Sequence, residues 1–171
     1  MGYLKKDKKT PELFEYSEGK EKEVAFRIEN FCAYQERCEK DVISKLKEWK
    51  VPSEMFESIL QSLTEENFIN QQRFGQAFAG GKFRIKKWGK QKIAMHLFSK
   101  NFNQEDVQEA IAQIPETDYR KALELVLERK SRQLKDSDKM IRKKKLLDHA
   151  RSKGYESNLI FEVLDARKDL L

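Results

Sequence analysis

This 171-residue sequence predicts an all-α fold of three tandem three-helix repeats. Three observations carry the prediction. The first is a pattern that returns three times. Leu46-Lys47-Glu48-Trp49-Lys50-Val51 is followed by Phe56, Ile59 and Leu60. Leu97-Phe98-Ser99-Lys100-Asn101-Phe102 is followed by Val107, Ala110 and Ile111. Ala150-Arg151-Ser152-Lys153-Gly154-Tyr155 is followed by Ile160, Val163 and Leu164. Leu97 lies 51 residues after Leu46, and Ala150 lies 53 after Leu97, with no gap inside the pattern. Each copy reads as the end of one amphipathic helix, a tight turn, an apolar residue and a second helix. A period of this size marks an array of helical units. The second observation is composition. Charged residues make up 37% and the mean hydropathy is −0.82, too polar for a thick core but sufficient for helices that bury one stripe each. The third is that seven glycines and three prolines are few, and no alternation of apolar and polar residues is sustained.

The elements follow in order. Residues 1–20 are lysine-rich, broken by Pro11 and Gly19, and predict a mobile basic arm with Leu13, Phe14 and Tyr16 docking locally. Residues 21–66 form repeat one. A helix runs from about Glu21 to Arg37, a second from Glu39 to Trp49, and a third starts at Val51-Pro52-Ser53-Glu54, where proline suits a first turn. Residues 67–117 form repeat two. Its first helix spans about Gln71 to Ala79 and is stopped by Gly80-Gly81, with the basic stretch following as a connection. A helix from Lys90 to Lys100 comes next, then one capped by Asn103 and ending near Ile114, with Pro115 closing the unit. Residues 118–171 form repeat three, with helices from Asp118 to Arg132, Ser137 to Ser152 and Ser157 to Arg167. One such unit cannot bury its faces alone, and stacking does. Three stacked units predict an elongated body reaching about 60 Å, curved if each unit rotates on the last.

The net charge of +6 is unevenly placed. Residues 21–66 carry seven basic and eleven acidic side chains, residues 67–117 eight and four, and residues 118–171 fifteen and ten. No acid occurs between Glu66 and Glu105, a gap that holds Arg73, Lys82, Arg84, Lys86, Lys87, Lys90, Lys92 and Lys100. An acid-free basic segment in a chain otherwise rich in Glu and Asp predicts an acidic or polyanionic partner. The run Arg142-Lys143-Lys144-Lys145 is a second basic patch, which on one helical turn fans over most of the circumference. Phe83 and Trp88 are interleaved with the first patch. They read either as stacking platforms for bases or as buried packing residues.

No constellation for catalysis emerges. His96 and His149 sit at equivalent repeat positions, but neither has Cys or carboxylate at ligand spacing. Gly80-Gly81-Lys82 lacks the spacing of a phosphate loop, and no serine or cysteine nucleophile arrangement is present. Cys32 and Cys38, six residues apart on one helix, point to different sides and read as free thiols of a reducing cytosol. No run of about 18 apolar residues offers a membrane span, and Met1–Lys9 has no apolar signal core. The expectation is a cytoplasmic protein that is not an enzyme and needs no metal or cofactor.

Leu60 with Leu63, Phe68-Ile69-Asn70 with Arg73-Phe74, Arg84 with Gly89, Ile93 and Leu97, and Lys153-Gly154-Tyr155, in this order, resemble segments of the RecX family, regulators of the recombinase RecA. Leu60-x-x-Leu63 followed by Phe68-Ile69-Asn70-x-x-Arg73-Phe74 resembles the family's leucine-ended helix and apolar-Asn/Asp-x-x-Arg-aromatic turn. Arg84-x-x-x-x-Gly89-x-x-x-Ile93-x-x-x-Leu97 resembles the basic, single-glycine segment that comes next, and Lys153-Gly154-Tyr155 the turn of the last repeat. The likeness covers about residues 37–165. It departs at Gln71, often Asp in the family, which weakens a cap, and at Asn101, usually Gly, which bears on turn geometry. The resemblance implies a monomeric inhibitor that binds the RecA–DNA filament groove and restrains ATP hydrolysis, strand exchange and coprotease activity in DNA repair, recombination and the SOS response. Contact would run through Arg73, Lys82, Arg84, Lys86, Lys87, Lys90, Lys92 and Arg142 to Lys145, to RecA and, weakly, to DNA. The alternative is a non-sequence-specific DNA-binding protein of helix-turn-helix-like repeats. Its helices offer mostly Lys, which suits positioning on phosphate better than base readout.

Overall fold

The computed structural model describes residues 14–136 and 138–171. Among them are nine α-helices, two single 3₁₀ turns and no strand. The helices are α1 (Glu21–Tyr34), α2 (Glu39–Glu48), α3 (Phe56–Glu65), α4 (Gln71–Lys86), α5 (Lys90–Phe98), α6 (Gln104–Ala112), α7 (Glu116–Ser131), α8 (Lys139–Lys153) and α9 (Ser157–Ala166). They pack in threes: α1 and α3 against α2, then α4 to α6 together, then α7 to α9 together. Two compact units result, one ending at Asn70 and one running from Gln71 to Leu171. The expectations for residues 1–13, and the helix start at Ser137, lie outside the described residues.

The repeat is visible atom by atom in its turns. Val51 N–H donates to the Leu46 carbonyl (3.0 Å), Phe102 to Leu97 (3.2 Å) and Tyr155 to Ala150 (3.2 Å). The residue before each donates three back: Lys50 to Lys47, Asn101 to Phe98, Gly154 to Arg151. This pair of bonds closes a helix through one left-handed residue. Lys50 (φ 58°), Asn101 (φ 67°) and Gly154 (φ 91°) supply it at the same repeat position. Asn101 thus performs the glycine's part, and even Lys50 accepts the strained conformation. The brackets of each turn are buried: Leu46 with Val51, Leu97 with Phe102, Ala150 with Tyr155.

In the first unit, Val24, Ile28 and Cys32 of α1, Val42 and Leu46 of α2 and Leu63 of α3 form the core. Phe14 is buried edge-on to Trp49 at 5.3 Å, and the Tyr16 N–H donates to the Trp49 carbonyl (2.8 Å). Residues 14–16 therefore dock on this unit. Cys32 lies on α1 and Cys38 caps α2, so the two do not share one helix as expected; both are buried and not joined in a disulfide, and burial pushes the Cys32 thiol up to about 11.

In the second unit, α4 corrects the expectation of a stop at Gly80-Gly81. It continues to Lys86 and ends at Lys87, whose φ is 53°. Glycine costs only about 1 kcal/mol in a helix interior. Burial of Phe83, whose ring meets Tyr119 at 6.1 Å, favours the added turns, and the Arg84 guanidinium folds back over Gly80. The basic stretch is thus helical and not a connection. At the other end, Gln71 donates to Asp106 and Gln72 to Glu109, so the position expected to weaken a cap ties α4 to α6 instead.

Repeats two and three meet backbone to backbone inside this unit. Gly89 N–H donates to the Lys153 carbonyl (2.8 Å), and Gln91 N–H to that of Gly154 (3.1 Å). A Cβ on Gly89 would lie 2.2 Å from the Gly154 carbonyl carbon, so only glycine allows this approach. Beside it, the Tyr119 hydroxyl accepts from Lys90 N–H (2.8 Å) and donates to Glu156 (2.7 Å). The rings of Tyr119 and Tyr155 pack at 5.1 Å, both buried.

Candidate functional site

The basic residues of the second unit separate into those spent on the fold and those left facing solvent. Lys82 is half-buried, its ammonium 5.1 Å from the Phe78 ring centre and 5.2 Å from Trp88. Lys92 covers Trp88 at 5.0 Å and donates to the Ser152 carbonyl (3.0 Å). Lys90 pairs with Glu116 and lies 4.6 Å from the Tyr119 ring. Such contacts hold a cation to its own chain. Arg73 is half-buried in the first turn of α4. Phe83 is buried and Trp88 stacks on His96 at 4.6 Å, so these aromatics serve packing.

The run 142–145 is the more altered by folding. Arg142 turns inward, its two terminal nitrogens donating to the carbonyls of Ser131, Leu134, Asp136 and Leu170 and to the Ser131 hydroxyl. It gathers the chain between α7 and α8 onto the C-terminus. Lys143 pairs with Asp165 (3.1 Å) and Lys145 with Asp136 (2.7 Å). The Lys145 hydrogen bond holds the Asp136 carboxyl below its usual range. Only Lys144 of this run is exposed without a pairing among the described residues. Arg142 is thus engaged by its own chain.

Lys86 and Lys87 behave differently. With Arg129 and Lys130 of α7 and Lys153 of α8 they line a cleft of about 340 Å³, which His149 also lines. No carboxylate lines it. Among the described residues none of these five cations has an acidic partner. Burial lowers the His149 pKa, reinforced by Lys130 and Lys153. His96, at the equivalent repeat position, is lowered by burial and then by Lys92, Lys82 and Lys100. Sequence reasoning found Lys86 and Lys87 through the acid-free segment but missed Arg129, Lys130 and Lys153. The signal available was their shared place in the last turns of helices, since α4, α7 and α8 each end in basic residues.

The described residues contain no group of three or more His, Cys, Asp or Glu able to hold a metal ion. None of the described helices is long and apolar enough to cross a membrane.

Residues 70–111, which are α4 to α6 almost end to end, match the family model for RecX, second three-helix domain. Over that segment the chain is similar to the RecX family. It is 27% identical over 139 residues to the regulatory protein RecX of Limosilactobacillus reuteri (strain DSM 20016), covering 81% of this chain and 52% of that one. It is 29% identical over 126 residues to the regulatory protein RecX of Clostridioides difficile (strain 630), covering 71% and 58%. The chain therefore spans only about half the length of these relatives. A crystal structure of regulatory protein RecX superposes with a TM-score of 0.77 at 22% identity, covering 84% of this chain and 71% of that one, which shows the shared helical fold.

Proposed function

We propose that this chain is a RecX-like inhibitor of RecA that binds the RecA–DNA filament groove and restrains ATP hydrolysis, strand exchange and coprotease activity. It works as a monomer in the cytoplasm and has no catalytic centre of its own. The match of residues 70–111 to the RecX family model and the likeness to regulatory RecX proteins support the partner class. The observation that carries the reading is the cleft, where five cations line one opening without acidic partners while several other basic groups of the chain are paired with carboxylates. The repeats, proposed as 21–66, 67–117 and 118–171 behind a basic arm of residues 1–20, offer linked contacts that act together on a repeating partner. Of the contacts proposed from the sequence, Arg84, Lys86, Lys144 and Lys145 are exposed, and Arg73, Lys82, Lys87, Lys90, Lys92, Arg142 and Lys143 are half-buried.

Sedimentation of RecA filaments on single-stranded DNA with ATP, beside the same DNA alone, tests this. The protein should co-sediment with the filament and slow its ATP hydrolysis, and both effects should weaken as salt rises. Equal binding to bare DNA, with no effect on hydrolysis, would favour the direct DNA-binding reading instead.

A further inference from the structure

Three helices end at the basic cleft. Lys86 is the last residue of α4, Arg129 and Lys130 lie in the last turn of α7, and Lys153 closes α8. Helix C-termini attract cations, so these ends account for part of the cluster. Each carries roughly −0.5 of a charge, about −1.5 for three, against five cationic side chains. An excess of about +3.5 remains unanswered. The same unit pairs several of its other cations with carboxylates, through Lys90–Glu116, Arg120–Glu124, Lys143–Asp165, Lys145–Asp136 and Arg167–Asp169. Leaving five of them together around one cleft, with no lining carboxylate, sets up a site for an external anion.

The lining also says which anion. Ile85 lines the cleft and is 77% exposed, while Val126 lines it from a buried position. No Phe, Tyr or Trp lines it to stack a base. Trp88, the nearest ring in sequence, is already stacked on His96 under Lys82 and Lys92. Four of the five cations are lysines, point charges that attract carboxylate and phosphate alike, so the apolar contact decides between them. An apolar contact ringed by lysines fits a segment that alternates carboxylates with an apolar side chain.

We propose that the cleft between α4, α7 and α8 binds an acidic peptide segment of a partner protein, its carboxylates on Lys86, Lys87, Arg129, Lys130 and Lys153 and an apolar side chain against Ile85. This deepens the function proposed above and rests on its reading of the basic surface as a contact. It assigns that contact to protein carboxylates and not to DNA phosphate.

The test uses the full chain and a short fluorescein-labelled peptide of Glu and Asp around a central Leu, read by anisotropy. The probes for comparison are the same peptide with Ser for Leu, and an oligothymidylate of equal charge. The paired reversal Lys130→Glu with Lys153→Glu should weaken peptide binding on the order of tenfold or more. The exposed pair Lys121→Glu with Lys139→Glu, outside the cleft, should change it by less than about twofold. Ile85→Ser should weaken binding of the Leu peptide and leave the Ser peptide unchanged. Circular dichroism checks folding, and Lys130→Gln with Lys153→Gln serves if the reversals unfold the chain. Equal losses for the two paired variants would overturn the site in favour of diffuse charge. Oligothymidylate bound as tightly as the peptide, and lost with the cleft variant, would overturn it in favour of nucleic acid. Filament binding separates the two readings. Cleft variants that lose the filament where wild type never bound the peptide sink this proposal alone. Wild type that binds the peptide through the cleft but ignores filaments sinks only the proposed function.

Discussion

The second unit carries two basic clusters that look alike in composition and differ in what folding does to them. The run Arg142 to Lys145 is dense in sequence, yet folding consumes most of it: Arg142 on carbonyls, Lys143 on Asp165, Lys145 on Asp136. The cleft gathers Lys86, Lys87, Arg129, Lys130 and Lys153 from three helices and leaves them without acidic partners. Density of charge along a chain is therefore a poor guide to charge on its surface. What matters is whether carboxylates and helix ends nearby answer it.

The comparison breaks most violently at the glycine that assembles the cleft. Gly89→Ala places a Cβ 2.2 Å from the Gly154 carbonyl carbon, on the segment that holds the end of α8 beside α5. We expect a loss of about 3 kcal/mol or more, seen as a large drop in Tm, because backbone and not a flexible side chain must move. The cleft should fail with it, so acidic-peptide binding should vanish even where helix content survives. An unchanged Tm would mean the two repeats are not held by this contact.

Arg142→Leu comes next. Removing the guanidinium leaves the carbonyls of Leu134, Asp136 and Leu170 and the Ser131 hydroxyl without this donor, at a cost of about 2–3 kcal/mol. Arg142→Lys should recover only part, since an ammonium cannot span the same fork. Below the transition temperature both should bind the partner like wild type. Lost binding by a folded Arg142→Leu would return this residue to the contact surface.

Much of this architecture is legible in sequence because its signals are local. The turns at Lys50, Asn101 and Gly154 lie between apolar residues five apart, so one pattern encodes both bonds and burial. The length of α4 was not legible. Gly80-Gly81 is a local stop signal, and the burial of Phe83 against Tyr119, from another repeat, overrides it. The cleft was half legible. Lys86 and Lys87 stand in an acid-free segment, but Arg129 and Lys130 follow Glu124 and Glu128, which engage Arg120, Arg132 and Arg167. The carbonyls gathered around Arg142 were not legible, because main-chain carbonyls have no sequence signature.

Neutralising the two clusters should shift stability in opposite directions. Lys130→Gln with Lys153→Gln relieves repulsion in the cleft and should raise Tm slightly, more at low salt than at high. Lys145→Gln removes the partner of Asp136 and should lower Tm slightly, by an amount that salt also diminishes. Falls of similar size in both would mean the cleft cations are engaged by groups other than an outside anion.

The smallest effect is a proton. His149 faces Lys130 and Arg129 from α7, Lys153 from α8 and Lys86 and Lys87 from α4, and burial followed by Lys130 and Lys153 lowers its pKa below 6.5. A histidine lowered in the folded state is more easily protonated in the unfolded one. Its contribution to stability is therefore full above about 6.5, falls as pH drops toward the folded value, and levels off below it. Wild type should lose stability between about pH 7 and about pH 5.5, with His96, lowered for like reasons, adding to the slope. His149→Gln should flatten one part of that slope and His96→Gln another, and carboxylate titration common to all variants cancels in the comparison. An acidic peptide in the cleft places negative charge beside His149 and raises its pKa again. Saturating peptide should then flatten the wild-type slope toward that of His149→Gln and leave the His149→Gln slope unchanged. Urea midpoints at the two pH values, with and without peptide, measure this. A slope that peptide alters equally in wild type and His149→Gln would place the bound carboxylates away from the cleft.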